Sequence, residues 1–315
     1  MRAIAVSEYG ATPALTYLPR PEPGPGEILV KLVAAGLNPH DWKIADGMLK
    51  DTADAAFPLV VGCDGAGVVE DAGPGVTRLR HGEQVYGVFT DVARGRGSYA
   101  EYAIVREDGP VARMPAETIY THAAAVPTAC ATALDVVERA GLGEGRTVLI
   151  AGATGGVGQA AVQLAARTGA TVIATARADA AGTIRRLGAA HTVDHSAGAL
   201  NDQVLAVHSA GIDALIVTAG DTARTTELAR LLRPGGTCVS TVWTADPDAM
   251  ADHGLHGVNH ADAPTADALE RVAHLVDAGE LRVHIERETT LEAAPDALAR
   301  NRAGGARGKT VLRIL

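Results

Sequence analysis

The chain has 315 residues, a length that suits two domains better than a single core. Hydrophobic residues make up 47% and aromatics only 3%, so small aliphatic side chains must fill the interior. A formal net charge of −9, with no cluster of lysine or arginine, argues against nucleic acid or an anionic membrane as a main partner.

The opening MRAIAVSEYG lacks the charged-then-apolar pattern of a secretory leader, and no apolar run is long enough to span a bilayer. Cys63, Cys130 and Cys238 are odd in number and far apart, so no disulfide framework or C-x-x-C metal knuckle follows from them. A reduced, cytoplasmic protein is the expectation.

The first hundred or so residues read as short strands over Arg2–Val6, Glu27–Leu37, Gly65–Gly73, Glu83–Phe89 and Ser98–Val105. Proline and glycine separate them, most densely in PRPEPGPGE (19–27), which predicts an all-β, barrel-like domain. After about Glu117 the texture changes. THAAAVPTACATALDVVERA (121–140) reads as helix and leads into regular strand–helix alternation. The strands are RTVLIAGA (146–153), ATVIATA (170–176), AHTVDH (190–195), DALIVTAG (213–220) and GTCVST (236–241). Alternation at this spacing predicts an α/β domain, a doubly wound parallel sheet with helices on both faces. ADALERVAHLVDAGEL (266–281) is helical by its apolar period, and GKTVLRIL (308–315) reads as a last strand.

TVLIAGATGGVGQAAVQLA (147–165) is a buried strand, a glycine-rich turn and a helix in immediate succession. Gly155 and Gly158 keep the spacing of the last two glycines of the dinucleotide fingerprint, and Ala153 stands at the first. Glycine lets backbone approach a pyrophosphate, and the helix start offers free N–H groups, so Ala153, Thr154, Gly155, Gly156, Val157 and Gly158 are candidate cofactor contacts. A tight turn without a ligand is the alternative. The next strand ends in Thr175, Ala176 and Arg177, with no carboxylate until Asp179 to bind ribose hydroxyls. Arg177 can pair with a 2′-phosphate, which points to NADPH; otherwise it is a solvated loop charge.

These stretches, together with AAGLNPHDWKI (34–44), VGCDGAGVVEDAG (61–73), GSYAEYAIV (97–105), LRPGGTCVS (232–240) and GKTVLRI (308–314), resemble the medium-chain dehydrogenase/reductase superfamily. Within it the zinc-free quinone oxidoreductase branch is the nearer likeness. The resemblance implies a GroES-like β-barrel catalytic domain over 1–120, a Rossmann NADPH-binding domain over 121–260, and a return to the catalytic domain over 261–315. It places the active site in the cleft between the two, and it implies a homodimer joined through the Rossmann sheets.

Zinc-containing relatives place a cysteine where this chain has Asn38, a histidine where it has Cys63, and a third ligand at Thr128. A catalytic zinc needs three protein ligands of nitrogen, sulfur or carboxylate type, and of these three only Cys63 qualifies. A rearranged site drawn from Cys63, Cys130 and His40 stays open, but the reading is no metal. The run WTADPDAMADHGLHGVNH (243–260) holds His253, His256 and His260 at spacings that suit neither one helix face nor a strand clamp, so they read as loop polarity.

Without zinc, a fixed donor must stabilise charge growing on a carbonyl oxygen as hydride arrives. The resemblance assigns this to Lys43, in the pattern Asn-Pro-x-Asp-x-Lys shared with plant enone and alkenal reductases; a solvated surface lysine is the plainer reading. Asn38 carries over as a donor to substrate or to cofactor ribose, while Asp41 orients the turn. Thr132 matches a threonine near the nicotinamide, Thr218, Gly220 and Ser240 end strands on the nicotinamide side, and His195 stands where relatives line the adenine pocket, a surface histidine being the alternative. The function implied is an NADPH-dependent, zinc-independent reductase of quinones or α,β-unsaturated carbonyls. The alternatives are an enoyl-thioester reductase, for which no basic run advertises a phosphopantetheine site, and a non-catalytic NADPH-binding or RNA-binding relative.

Overall fold

The computed structural model describes residues 1–51, 53–261 and 263–315 and divides the chain into two compact units, Met1–Ala131 with Ala263–Leu315, and Thr132–Asp262. The chain enters the first unit through β1 (Arg2–Val6), β2 (Ala14–Tyr17), β3 (Glu27–Leu37), α1 (Pro39–Ala45), β4 (Leu59–Val60), β5 (Asp64–Ala72), β6 (Gln84–Val88), β7 (Tyr102–Arg106), β8 (Val111–Arg113) and α2 (Tyr120–Ala124), and the unit boundary falls within α3 (Pro127–Arg139). The second unit alternates strictly: β9 (Thr147–Ala151), α4 (Gly156–Arg167), β10 (Thr171–Thr175), α5 (Ala178–Arg186), β11 (His191–Val193), α6 (Leu200–Val207), β12 (Ile212–Val217), α7 (Thr222–Ala229), β13 (Leu232–Ser240), α8 (Pro247–Ala251) and β14 (His256–Asn259). The return to the first unit adds α9 (Ala266–Asp277), β15 (Ile285–Thr290), α10 (Ala294–Arg302) and β16 (Lys309–Arg313).

In the first unit β3 is the hub. It pairs antiparallel with β5, β7 and β16 in a curved sheet of order β15-β16-β3-β5-β6-β8, and a three-stranded sheet β2-β1-β4 lies beside it. Its eleven residues, EILVKLVAAGL, are nearly all buried, as a strand flanked on both edges requires. Ile4, Val30, Leu32, Phe89 and Tyr99 pack inside this barrel-like unit. Register brings three polar residues to one end of it: Gly36 pairs with Asp64 across β3 and β5, and Leu37 pairs with Thr310 across β3 and β16. Asn38 and Lys309 therefore sit one step beyond a paired position. A Cβ on Gly36 would meet the Ala124 carbonyl oxygen at 2.0 Å, so the bare glycine is what lets α2 lie against this end of β3.

The second unit is a six-stranded sheet, order β11-β10-β9-β12-β13-β14, with every pairing parallel. The central strand TVLIA is buried along its whole length, as expected where helices cover both faces.

Several local expectations differ from what forms. The helix expected over 121–140 is two helices, because Pro127 opens α3 at a position where a missing N–H costs nothing. The strand expected over 98–105 starts at Tyr102; Tyr99 and Ala100 are buried ahead of it, and Ala100 bridges Ala3. The run 243–260, expected as loop, contains α8 and β14. Asp246 accepts the N–H of Ala249 at 3.1 Å to start α8, and β14 pairs parallel with β13.

Candidate active site

At the end of β3 four residues form one buried polar cluster. The Lys309 ammonium, 4% exposed, donates to Asn38 Oδ1 at 2.5 Å and to the Leu37 carbonyl at 2.9 Å, and stands 3.6 Å from Asp64 Oδ2. Asn38 Nδ2 donates to Asp64 Oδ2 at 2.8 Å. Asp64, fully buried, also accepts from Thr128, its hydroxyl at 2.5 Å and its N–H at 3.1 Å. Buried charges need this degree of satisfaction: deleting one partner of such a pair costs about 3–5 kcal/mol, since the other is left uncompensated.

A second carboxylate lies under the first turn of α1. Asp41 Oδ2 accepts the N–H of Asn38 at 2.8 Å and the hydroxyl of Tyr99 at 2.7 Å, with Tyr99 itself fully buried. Burial pushes the Asp41 carboxyl up to about 6, against the lowering effect of its donors. Asp41 thus ties the backbone at Asn38 to the barrel interior, the orienting position expected of it. Burial, followed by the nearby Asp41 charge, also drives the Cys63 thiol well above its ordinary range.

Lys43, on α1, is half-buried, with Nζ 5.7 Å from the centre of the Trp42 ring. Trp42 is pinned by a hydrogen bond from Nε1 to Asn301 Oδ1 at 3.0 Å. Among the described residues the Lys43 ammonium makes no ion pair or hydrogen bond, so its three N–H donors are uncommitted.

This donor set does not fit a zinc ion. Asn38 presents its amide oxygen to an ammonium, Cys63 is held as a neutral thiol, and the Thr128 hydroxyl is spent on Asp64. Cys130 is fully buried with its thiol pushed up to about 12, and His40 is exposed. Among the described residues no three His, Cys, Asp or Glu side chains gather as a metal would need. Of the histidines at 253, 256 and 260, the first two are exposed, whereas His260 Nδ1 contacts Asp135 Oδ2 at 2.8 Å.

In the second unit the glycine-rich turn has the features of a dinucleotide cradle. A Cβ on Gly158 would come within 2.2 Å of the Gly152 carbonyl oxygen, so only glycine lets α4 pack onto the turn. Gly152 itself has φ 83°. At Gly155, which precedes α4, the nearest atom to an added Cβ is 3.7 Å away, and no side chain caps the helix. The first N–H groups of α4 are thus left for a ligand, with Ala153, Thr154, Gly156 and Val157 around them. Such a turn fits a pyrophosphate.

Of the other candidates, all but Thr132 follow or end strands of the parallel sheet. Arg177 is exposed directly after β10, and His195 is exposed after β11. Between them Asp194 accepts from Ala178 N–H at 3.1 Å and from the Ser196 N–H and hydroxyl. Thr218 follows β12 and donates to the Ala151 and Gly152 carbonyls, both at 3.0 Å, while the neighbouring Gly220 has φ 129°. Ser240 is fully buried, and its hydroxyl holds the turn after β13 by accepting from Val242 and Thr244 N–H. That turn sets Trp243 at φ 60°, a region a non-glycine residue rarely occupies, with 65% of its surface exposed. Thr132 is buried in α3.

Lys309, Asp64, Thr128 as a donor, and Tyr99 received no functional role from the sequence. The available signal was a lysine heading the apolar strand TVLRI and an aspartate enclosed by glycines in VGCDGAGVV, since charges in core strands are seldom unpaired.

Residues 24–116 match the family described as alcohol dehydrogenase GroES-like domain, and residues 187–312 match that described as zinc-binding dehydrogenase. A chloroplast envelope quinone oxidoreductase homolog from Arabidopsis thaliana is 31% identical over 340 residues, covering 99% of this chain and 98% of that protein. A chloroplastic quinone-oxidoreductase homolog from Spinacia oleracea is 39% identical over 204 residues, 62% of this chain and 61% of its own length. A 2-methylene-furan-3-one reductase from Solanum lycopersicum is 37% identical over 205 residues, 62% of this chain and 52% of its own. The quinone oxidoreductase from Coxiella burnetii superposes with a TM-score of 0.89 at 27% identity, covering 100% of this chain and 99% of that one.

Proposed function

Because the chain belongs to the quinone oxidoreductase branch of the medium-chain dehydrogenase/reductase superfamily, a family of nicotinamide-dependent oxidoreductases, we propose that it is an NADPH-dependent, zinc-independent reductase of quinones or α,β-unsaturated carbonyls. The observation that carries this reading is the bare, uncapped glycine-rich helix start of the second unit, and the uncommitted ammonium of Lys43 in the first unit supports it.

NADPH, when bound, supplies a hydride for the β-carbon of the acceptor. The α4 N–H groups and the dipole of that helix hold the pyrophosphate, and Arg177, exposed at the end of β10, pairs with the 2′-phosphate. As the acceptor gains negative charge on its carbonyl oxygen, the uncommitted ammonium of Lys43 hydrogen-bonds that oxygen and then gives it a proton. Lys43 is half-exposed, so water restores the proton. Asp41 takes the orienting role, its Oδ2 accepting from Asn38 N–H and from the Tyr99 hydroxyl. Asn38 adds a donor: one amide hydrogen goes to Asp64, and the other has no acceptor among the described residues.

The side of β14 that pairs with no strand among the described residues, at the edge of the six-stranded sheet, supports pairing with a second copy in a homodimer. No helix among the described residues is long and apolar enough to cross a membrane. The test is a panel of quinones, enones and enoyl thioesters at fixed NADPH, followed by loss of nicotinamide absorbance. Turnover with quinones or enones supports the proposal, turnover confined to thioesters moves it to the alternative class, and none with any acceptor refutes it.

A further inference from the structure

Lys309 is the cation of the buried polar cluster, and the proposed chemistry gives it no part. Its Nζ reaches Asn38 Oδ1 at 2.5 Å, Leu37 O at 2.9 Å and Asp64 Oδ2 at 3.6 Å, and its side chain is almost completely buried. We propose that Lys309 is a positioning residue: together with Asp64 it fixes which way the Asn38 amide faces, and so presents the free Asn38 N–H to the ligand. The inference rests on the reading of Asn38 as a ligand donor.

A primary amide is nearly symmetric in shape, so packing alone cannot tell its oxygen from its nitrogen. Charge can. Asn38 lies between a cation and an anion, with its oxygen on Lys309 and its nitrogen on Asp64. Turning the amide over would set NH₂ against the ammonium and carbonyl oxygen against the carboxylate, exchanging two charge-assisted hydrogen bonds for two repulsions. The pair is itself held in place. Thr128 supplies two donors to Asp64, Leu37 O takes a second Lys309 hydrogen, and the register of β16 on β3 places Lys309 across from Asn38. With one Asn38 hydrogen committed to Asp64, the direction of the other is set by geometry rather than by chance.

The experiment compares Asn38→Ala, the double variant Lys309→Met with Asp64→Asn, and the triple combination, each beside wild type. Removing both charges together avoids the stranded carboxylate that could unfold Lys309→Met alone. Thermal unfolding, kcat and KM with 1,4-benzoquinone and an enone, and the NADPH dissociation constant by fluorescence titration are all read. Asn38→Ala should lower kcat or weaken NADPH binding by about 10²-fold, the lower range for a lost donor of this kind. The charge-free variant should remain folded and reproduce the same pattern among kcat, KM and NADPH affinity, because its Asn38 amide is free to turn. Added to Asn38→Ala, the two charge changes should cost little more.

A charge-free variant with wild-type values would overturn the proposal, as would multiplying losses in the triple variant. So would an Asn38→Ala protein unchanged in all three parameters. Failure of wild type to turn over any acceptor would instead refute the proposed reaction, while the cycle is still read on NADPH affinity.

Discussion

Tyr99 donates its phenolic hydrogen to Asp41 Oδ2 at 2.7 Å, and both groups are sealed inside the barrel-like unit. The other oxygen, Oδ1, has no hydrogen-bond partner among the described residues, so this buried carboxylate is under-solvated when charged. That is the physical origin of its rise from 3.8 to about 6. Between those two values the folded chain holds the proton and the unfolded chain does not, so this group makes stability fall as pH rises through that window. At about 1.4 kcal/mol per pH unit the loss is about 3 kcal/mol above pH 6.

Asp41→Asn removes the charge and keeps an acceptor for Asn38 and Tyr99. Its stability relative to wild type should therefore improve by about 3 kcal/mol from pH 4 to pH 7. The comparison is made by urea unfolding of both proteins across that range, which cancels the carboxylates whose pKa is lowered, such as Glu27 and Glu101. A difference that does not vary with pH would mean Asp41 titrates as an ordinary carboxylate.

Arg177 is exposed at the end of β10, where an acid would select against a 2′-phosphate. Arg177→Ala should weaken NADPH by roughly 1.5–3 kcal/mol, the range for a hydrogen bond to a charged group, and leave NADH nearly unchanged. Isothermal titration with both cofactors measures it. Equal losses would remove the guanidinium from phosphate recognition.

Lys43→Met should lower kcat by about 10²–10³ with an enone and raise KM far less, because the oxyanion contact strengthens on the way to the transition state. Quinones accept hydride more readily and should suffer less. Lys43→Arg should restore activity only in part, since a planar fork cannot place a donor where a compact ammonium sat. Wild-type enone turnover by Lys43→Met would pass the electrophilic role to Asn38.

The two-part architecture was legible in the sequence because its signals are local: VLIAG followed by a glycine-rich turn, and strand–helix alternation of constant spacing. The candidate site was only half legible. Asn38 and Lys43 lie in one short motif, but Lys309 is 271 residues from Asn38 along the chain and reaches it solely through strand register. β14 was missed for a related reason: HGVN has neither alternation nor an apolar run, and its strand conformation comes from pairing with β13. Helix α1 was read as a turn because Asn38 and Pro39 are turn residues as well as helix starters, and the Asp41 carboxylate that closes on Asn38 N–H decides the matter.

The proposed reaction reduces an activated double bond or quinone with NADPH, assisted by Lys43 and without a metal. The most direct measurement is NADPH oxidation by protein exhaustively treated with a strong chelator, assayed with 1,4-benzoquinone and with an enone, and checked for zinc by elemental analysis. The expected result is full turnover with less than stoichiometric zinc, and no gain when zinc is added back. One zinc per chain, with activity lost on chelation and restored by the metal, would contradict it.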